Sequence, residues 1–240
     1  MNSTVVVIPT YNEVENIQDI IEAVLGLPLA SDVLVVDDNS PDGTAEIVRK
    51  LQQLHPELKL VNREKKEGLG PAYVHGFRWA LEQGYTYIFE MDADFSHPPN
   101  ALAPMQEVLQ QNLADMVVGS RYKEGIRVRD WPLSRIALSV GASLYVKLIT
   151  GLPVADPTAG FVGYHAKVLR ALDLEDIRFR GYAFQIALKF WAWKKGFRIA
   201  EFPIIFTDRT RGDSKMNTSI ISEAIFGIIA MKWRSLFKKS

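Results

Sequence analysis

The chain has 240 residues, 48% of them hydrophobic and 23% charged, which suits one large globular domain with a real core. Its 28 basic and 28 acidic residues cancel, so the balance gives no reason to expect a nucleic acid or an acidic polymer as partner. There is no cysteine, which excludes disulfides, thiolate metal sites and a cysteine nucleophile and suits a reducing compartment.

The opening residues lack a basic leader, and the apolar run at 5–8 is only strand-length, so no secretory signal is expected. That β-branched run reads as a buried parallel strand. It ends in Pro-Thr-Tyr-Asn-Glu, after which Ile17, Ile20, Ile21, Val24 and Leu25 predict a helix over 14–25, with Asn12 as its N-cap. A second buried strand at 33–36 runs into the turn-rich Asp-Asp-Asn-Ser-Pro-Asp-Gly-Thr and a helix over 45–54. A strand at 58–62, a glycine turn at 68–70 and an amphipathic helix over 73–83 follow. The strand at 85–91 closes on Asp92-Ala93-Asp94, Pro98 and Pro99 open another helix, and 116–119 is a fifth strand.

This alternation predicts a mostly parallel sheet with helices on both faces, where ligands bind at the carboxyl ends of the strands. Polar clusters fall at four of those ends: 9–13, 37–43, 92–94 and 119–122. The second half is less regular. It predicts a long amphipathic helix over 131–150, a loop at 155–163 containing a short strand at 162–164, and a helix over 180–195. A proline-containing edge strand at 197–207 and a terminal helix over 218–237 complete it. With no repeat or linker, one domain is expected. No apolar stretch is read as reaching the roughly 18 residues that span a bilayer.

Asp92 and Asp94 are the sharpest chemical signal. Two carboxylates one residue apart beyond a buried strand can turn toward one hard cation, Mg²⁺ or Mn²⁺, which is commonly shared with substrate phosphates. The alternative is that Asp94 or Ser96 simply caps the helix after Pro98, and both roles can hold together. At Asp37-Asp38 an acid at a strand end can take a ribose or base hydrogen bond, but turn chemistry explains the same residues. Tyr11 could stack on a base and Glu13 could accept from one. Arg121 in Gly-Ser-Arg-Tyr, with Arg127, Arg129 and Arg135, supplies cations suited to phosphate. Arg209, Arg211 and Lys215 form a second basic set on a glycine-containing loop that could close over a diphosphate or could be a solvated loop.

Taken together and in order, Val-Val-Ile-Pro-Thr-Tyr-Asn-Glu, Val-Val-Asp-Asp-Asn-Ser-Pro-Asp-Gly-Thr, Met-Asp-Ala-Asp-Phe-Ser-His-Pro-Pro and Gly-Ser-Arg-Tyr resemble family 2 glycosyltransferases of the dolichol-phosphate (polyprenol-phosphate) mannosyltransferase type. The likeness covers nearly all of 5–217. It implies the α/β GT-A fold, Rossmann-like with a mostly parallel central sheet flanked by helices. It also implies a nucleotide-diphosphate sugar donor, a divalent cation and inversion at the anomeric centre. It places Pro9, Tyr11, Glu13, Val36, Asp38 and Ala93 at the nucleotide, and Asp92 and Asp94 at both nucleotide and metal. Some relatives carry a Gln as third ligand; here Ser96 stands there, so Ser96, His97 or water is left to complete the shell. Arg121, Arg135 and Ser139 match positions for a lipid phosphate. Arg209 and Lys215, with Asp94 the implied catalytic residues, match a loop over the donor.

Many relatives that glycosylate hydroxyls carry a Glu-Asp pair whose Asp is the base. The matching stretch here, ending at Gln185, has no carboxylate, which fits an acceptor that is already ionised; Asp156 remains as a base elsewhere. The implied reaction is mannose transfer from GDP-mannose to a polyprenyl phosphate. The rivals are UDP-glucose or another nucleotide sugar as donor, a hydroxyl acceptor, or a nucleotide-binding domain without turnover.

A lipid acceptor implies a membrane surface. Residues 209–240 hold seven Lys/Arg against two Asp/Glu, a net +5, and their helix carries an apolar face. The expectation is a catalytic unit at 1–217 and a basic amphipathic helix at 218–240 with no span. The chain would sit in the cytoplasm, peripheral on the cytoplasmic face of a membrane, on its own helices or with a small membrane subunit.

Overall fold

The structure is a computed structural model and describes residues 3–177, 179, 181–209, 211 and 218–237. The apolar strands β1 (Thr4–Thr10) and β2 (Ser31–Asp37) pair in parallel, with β3 (Leu58–Asn62) beside β2 and β4 (Tyr87–Glu90) beside β1. Further along the chain come β5 (Met116–Ser120), β7 (Val162–His165) and β8 (Ile199–Pro203), which complete a seven-stranded sheet in the order β3-β2-β1-β4-β7-β5-β8. Only β7 runs antiparallel to its neighbours β4 and β5. Two short strands, β6 (Val128–Arg129) and β9 (Phe206–Thr207), pair separately. All the parallel strands therefore deliver their carboxyl ends to one edge, as expected.

Alternate strand residues feed two cores. Val6, Ile8, Val33 and Val35 pack on α1 (Ile17–Leu25), α2 (Thr44–Leu51) and α4 (Leu102–Gln110). Val5, Val7, Leu34 and Val36 face the side of α3 (Leu69–Glu82), α6 (Ala166–Ala171) and α7 (Tyr182–Lys194). Gly76 of α3 lets that helix approach β1 closely: a Cβ there would lie 2.5 Å from Val7 Cγ1. Outside α7 lie α5 (Leu133–Thr150) and α8 (Thr218–Phe237), joined by Tyr145 Oη to Ile225 O at 2.9 Å and by Lys232 Nζ to Thr150 O at 3.1 Å.

Several boundaries differ from the sequence reading, each for a local reason. Asn12 is not a helix cap: it sits in the left-handed region at φ 55°, donates its N–H to Ser40 Oγ at 3.0 Å, and α1 starts only at Ile17. Helix α2 stops at Leu51, and α3 starts four residues early, straight after Gly68. Pro98 and Pro99 do open a helix, through a 3-10 turn at Pro99–Ala101. Helix α6 and the two-residue strand β6 were not anticipated, and the strand expected over 197–207 is split into the edge strand β8 and the short β9. Helix α5, 18 residues long, is long and apolar enough to cross a membrane by length and composition, which corrects the reading that no stretch reaches that size.

Candidate active site

The edge where the parallel strands end gathers the predicted acids. Asp37 is fully buried and structural: its carboxylate accepts from Thr10 Oγ1 at 2.8 Å, Ser40 N at 2.8 Å and Ser40 Oγ at 2.6 Å, stapling β1 to the turn after β2. The turn-chemistry reading holds for it. Asp42 does similar work, taking Thr44 N and Oγ1 at the start of α2. Asp38 is different. It accepts from Arg63 Nη1 at 2.7 Å, and burial raises its carboxyl while Arg63 pulls it down, with a net rise. Arg63 also reaches Glu67 at 2.7 Å, and Lys66 lies 4.0 Å from the centre of the Tyr11 ring. The 63–67 segment thus lies over Tyr11 and Asp38. Glu13 accepts from Asn16 Nδ2 at 3.0 Å. The Val36 side chain points into the core against α3, so Val36 backs the site and its side chain does not line it.

Strand β4 carries Glu90 into the interior and Asp92 and Asp94 to the edge. Asp92 is hemmed in by protein yet keeps 37% of its side chain exposed, and Tyr73 Oη donates to it at 3.2 Å. Burial raises its carboxyl and the neighbouring Asp94 charge adds to the rise, against the pull of His97, Tyr73 and Arg209. Asp94 is buried; its Oδ1 accepts from Ser96 N at 3.0 Å and its Oδ2 lies 3.2 Å from Arg209 Nη2. Asp94 therefore closes a local turn and faces a cation at once, while the helix after Pro98 has no side-chain cap. His97 Nδ1 accepts from Asp92 N at 3.0 Å, and its ring stacks on Phe161 at 5.1 Å. Its Nδ1 is thus taken by the main chain, so His97 positions Asp92 and that nitrogen is not open to a metal.

Among the described residues no group of three His, Cys, Asp or Glu could hold a metal ion. Asp92 and Asp94 still fit a hard divalent cation. They offer oxygen only, crowd each other electrostatically, and leave the remaining positions to phosphate oxygens and water.

On the far side of β7, Arg121 leaves the end of β5. Its Nε and Nη2 each lie 2.7 Å from the buried Asp156 carboxylate, and Nη2 lies 2.7 Å from Thr158 Oγ1. Asp156 also accepts Arg121 N at 3.0 Å. Burial would raise its carboxyl, but these bonds and the Arg121 charge outweigh it and hold Asp156 below its ordinary value. Asp156 is thus a locked anion, and the idea that it could serve as a base is set aside. Tyr122 Oη donates to Ser139 Oγ at 2.7 Å, and Arg135 pairs with Asp208 and lies over the Trp131 ring at 4.1 Å. The segment after β9 crosses the edge, with Asp208 on Arg135, Arg209 on Asp94, and Arg211 on Asp19 at 2.9 Å and Glu15 O at 3.0 Å. Lys215 lies outside the described residues.

Residues 5–173 match the description "Glycosyl transferase family 2". This chain belongs to glycosyl transferase family 2. Within the family it is of the polyprenol-phosphate mannosyltransferase type, and it is a hexosyltransferase. It is 42% identical over 234 residues to the undecaprenyl-phosphate mannosyltransferase of Micrococcus luteus, covering 96% of each chain. It is 42% identical over 226 residues to the polyprenol monophosphomannose synthase of Mycolicibacterium smegmatis, covering 94% of this chain and 85% of that one. It is 34% identical to the dolichol-phosphate mannosyltransferase of Pyrococcus furiosus over 95% of this chain and 63% of that one. Solved structures of similar fold include glucosyl-3-phosphoglycerate synthase of Mycobacterium tuberculosis with Mn²⁺, UDP and glucosyl-3-phosphoglycerate. It matches at TM-score 0.70 and 17% identity over all of this chain and 81% of that one. These neighbours show that the fold of this family 2 glycosyltransferase is GT-A-like.

In this glycosyltransferase one edge brings together Pro9, Tyr11, Glu13, Asp38, Asp92, Ala93 and Asp94, with Arg209 laid on Asp94. Arg121 is held by the loop that precedes β7, Arg121 and Arg135 both lie over the Trp131 ring, and Ser139 is reached through Tyr122. Residues that sequence reasoning passed over are Arg63, Lys66, Tyr73, Trp131 and His97's backbone role. Asp38, Tyr11 and Asp92, which Arg63, Lys66 and Tyr73 meet, lie distant in sequence, and His97 bonds the main chain. The only signal was the charge-dense 63–67 segment directly after a strand end.

Proposed function

We propose that this glycosyltransferase moves mannose from GDP-mannose to a polyprenyl monophosphate with inversion, giving polyprenyl-phosphate mannose and GDP. The names of its relatives support the lipid phosphate and the mannose. The observation that carries the acceptor class is the state of the carboxylates. Where hydroxyl-glycosylating relatives place a base, Gln185 is buried and donates to Glu90 at 2.9 Å, and Asp156 is locked on Arg121. A hydroxyl nucleophile needs a base near neutral pH, whereas a phosphate monoester arrives ionised.

In this reading a phosphate oxygen attacks the sugar C1 as the bond from C1 to the diphosphate oxygen breaks, and GDP leaves with the electron pair. Asp92 and Asp94 would hold Mg²⁺ or Mn²⁺, which when bound would offset charge on the departing diphosphate. Tyr11, Glu13 and Asp38, backed by Pro9, Val36 and Ala93, receive the nucleoside. Arg209 and Lys215 supply cations to the diphosphate, and Arg121, Arg135 and Ser139 receive the lipid phosphate. Catalysis rests on position and charge. Residues 1–217 form the catalytic unit. Helix α8, with the tail to 240, meets the cytoplasmic face of a membrane alongside α5.

Incubation of the full chain with radiolabelled GDP-mannose, Mn²⁺ and a short polyprenyl phosphate tests this. A mannose-labelled lipid is the expected product, and Asp94→Ala should lower its rate by at least about a hundredfold, in line with loss of a charge-stabilising group. Labelled lipid from UDP-glucose instead, or no dependence on divalent cation, would overturn the donor or the metal assignment.

A further inference from the structure

Trp131 stands at the entrance to α5, between the left-handed Asp130 at φ 62° and Pro132. Its ring lies 4.1 Å from the Arg135 guanidinium carbon and 5.7 Å from that of Arg121. Phe206 meets it edge-on at 5.4 Å. Its Nε1 is buried and has no hydrogen-bond partner among the described residues. A buried indole N–H ordinarily finds an acceptor, because leaving one unmade costs the full desolvation of the group. The two guanidiniums beside it are donors only. The nearby acids are engaged: Asp156 by Arg121 and Thr158, Asp208 by Arg135 and the Arg209 N–H. What the cluster lacks is a free acceptor for the indole, because both carboxylates are already taken by the guanidiniums beside it.

We propose that the Trp131 indole N–H is a hydrogen-bond donor to the phosphate of the acceptor, which makes Trp131 a binding residue for that substrate. The inference rests on the reading above of a phosphate acceptor. A phosphate monoester brings several acceptor oxygens and negative charge together. One of its oxygens would accept a hydrogen bond from Nε1–H while the group sits beside Arg135 and Arg121, with the flat indole wall fixing its approach. The residue earns notice only in the fold: in the sequence it is an aromatic before a proline.

Trp131→Phe keeps a ring and removes only the donor. With a short polyprenyl phosphate and GDP-mannose, its acceptor KM should rise about ten- to a hundredfold while its donor KM stays within about twofold, as for loss of a bond to a charged group. A second readout does not depend on turnover. In the full chain labelled with ¹⁵N-tryptophan, the Trp131 indole resonance should move downfield with hexyl phosphate and stay in place with hexanol. It is assigned by its loss in Trp131→Phe or, if that variant does not fold, by Trp→Phe variants of the other four tryptophans. An unchanged acceptor KM together with an unmoved resonance would overturn the proposal and leave the Phe206 ring as the N–H's only company. A shift with inorganic phosphate but none with hexyl phosphate would assign the donor to a free anion and overturn its role toward the lipid. If the wild type makes no mannosyl lipid, the functional reading fails, and the resonance alone still decides whether Trp131 binds an alkyl phosphate.

Discussion

Asp92 and Asp94 are separated by one residue but do unequal work. Asp94 is tied to Ser96 N and Arg209, while Asp92 keeps an open face, so the pair is half anchored and half presented. Asp38 shows the same economy of placement. Its carboxylate is almost wholly buried, and Arg63 is the cation that makes this tolerable. Arg63→Met should therefore destabilise the fold by about 3 kcal/mol, the usual cost of leaving one partner of a buried pair alone, and urea denaturation reads it directly. Donor affinity by calorimetry should fall in the same variant, because Asp38 would be held in place by less. The acids of this edge were legible in the sequence because each follows an apolar strand within a turn-rich run. Arg63 and Lys66 were not legible: their partners Asp38 and Tyr11 lie on other strand ends, and no local pattern reports a contact made across the sheet.

Helix α7 shows what its element adds to the site. It crosses beneath the edge and delivers Gln185 to Glu90 and Lys189 Nζ to Ala159 O at 2.7 Å and Gln185 O at 3.1 Å. Tyr164 Oη closes the group on Glu90 at 2.6 Å. Lys189 thereby pins the 155–161 loop that presents Asp156 to Arg121. Burial lowers Lys189 from 10.5 to about 8, against the pull of Glu90 and Asp156. With the folded pKa below the unfolded one, the unfolded chain binds more protons between about 8 and 10.5, so this residue's cost is present in full below 8 and fades as pH climbs through that window. Wild type should accordingly gain stability relative to Lys189→Met between pH 7.5 and 9.5, as measured by urea denaturation at the two pH values. Elements with a sustained period, α5 and α8 above all, were readable from sequence. The two-residue strand β6 was not, since it forms where Arg127 and Phe206 meet after long excursions of the chain, and the same contact splits the expected 197–207 strand into β8 and β9. Helix α1 was read from too early a residue because capping chemistry and turn chemistry use the same asparagine.

At the scale of the whole molecule the apolar surface is lopsided. Leu133, Leu138, Leu144 and Leu148 of α5 and Phe226, Trp233, Leu236 and Phe237 of α8 are all exposed on neighbouring helices, while Ile228 and Met231 alone among the large apolar side chains described in α8 enter the core. Helix α5 would measure about 27 Å, the depth of a bilayer's hydrocarbon. Its Tyr145 and Thr150 bonds to α8 and its Arg135–Asp208 pair tie it along the protein's flank. The exposed face beside Lys232 and Arg234 suits adsorption to an anionic surface. Leu144→Glu combined with Trp233→Glu should cut co-sedimentation with phosphatidylglycerol vesicles by more than about tenfold and leave GDP-mannose binding unchanged. The reversed strand β7 sets the gauge of the whole edge. By standing between β4 and β5 it spaces the paired aspartates from Arg121 by two strand intervals, roughly 9 to 10 Å, so the acidic and basic ends of the edge are held a fixed span apart, like two banks of one channel.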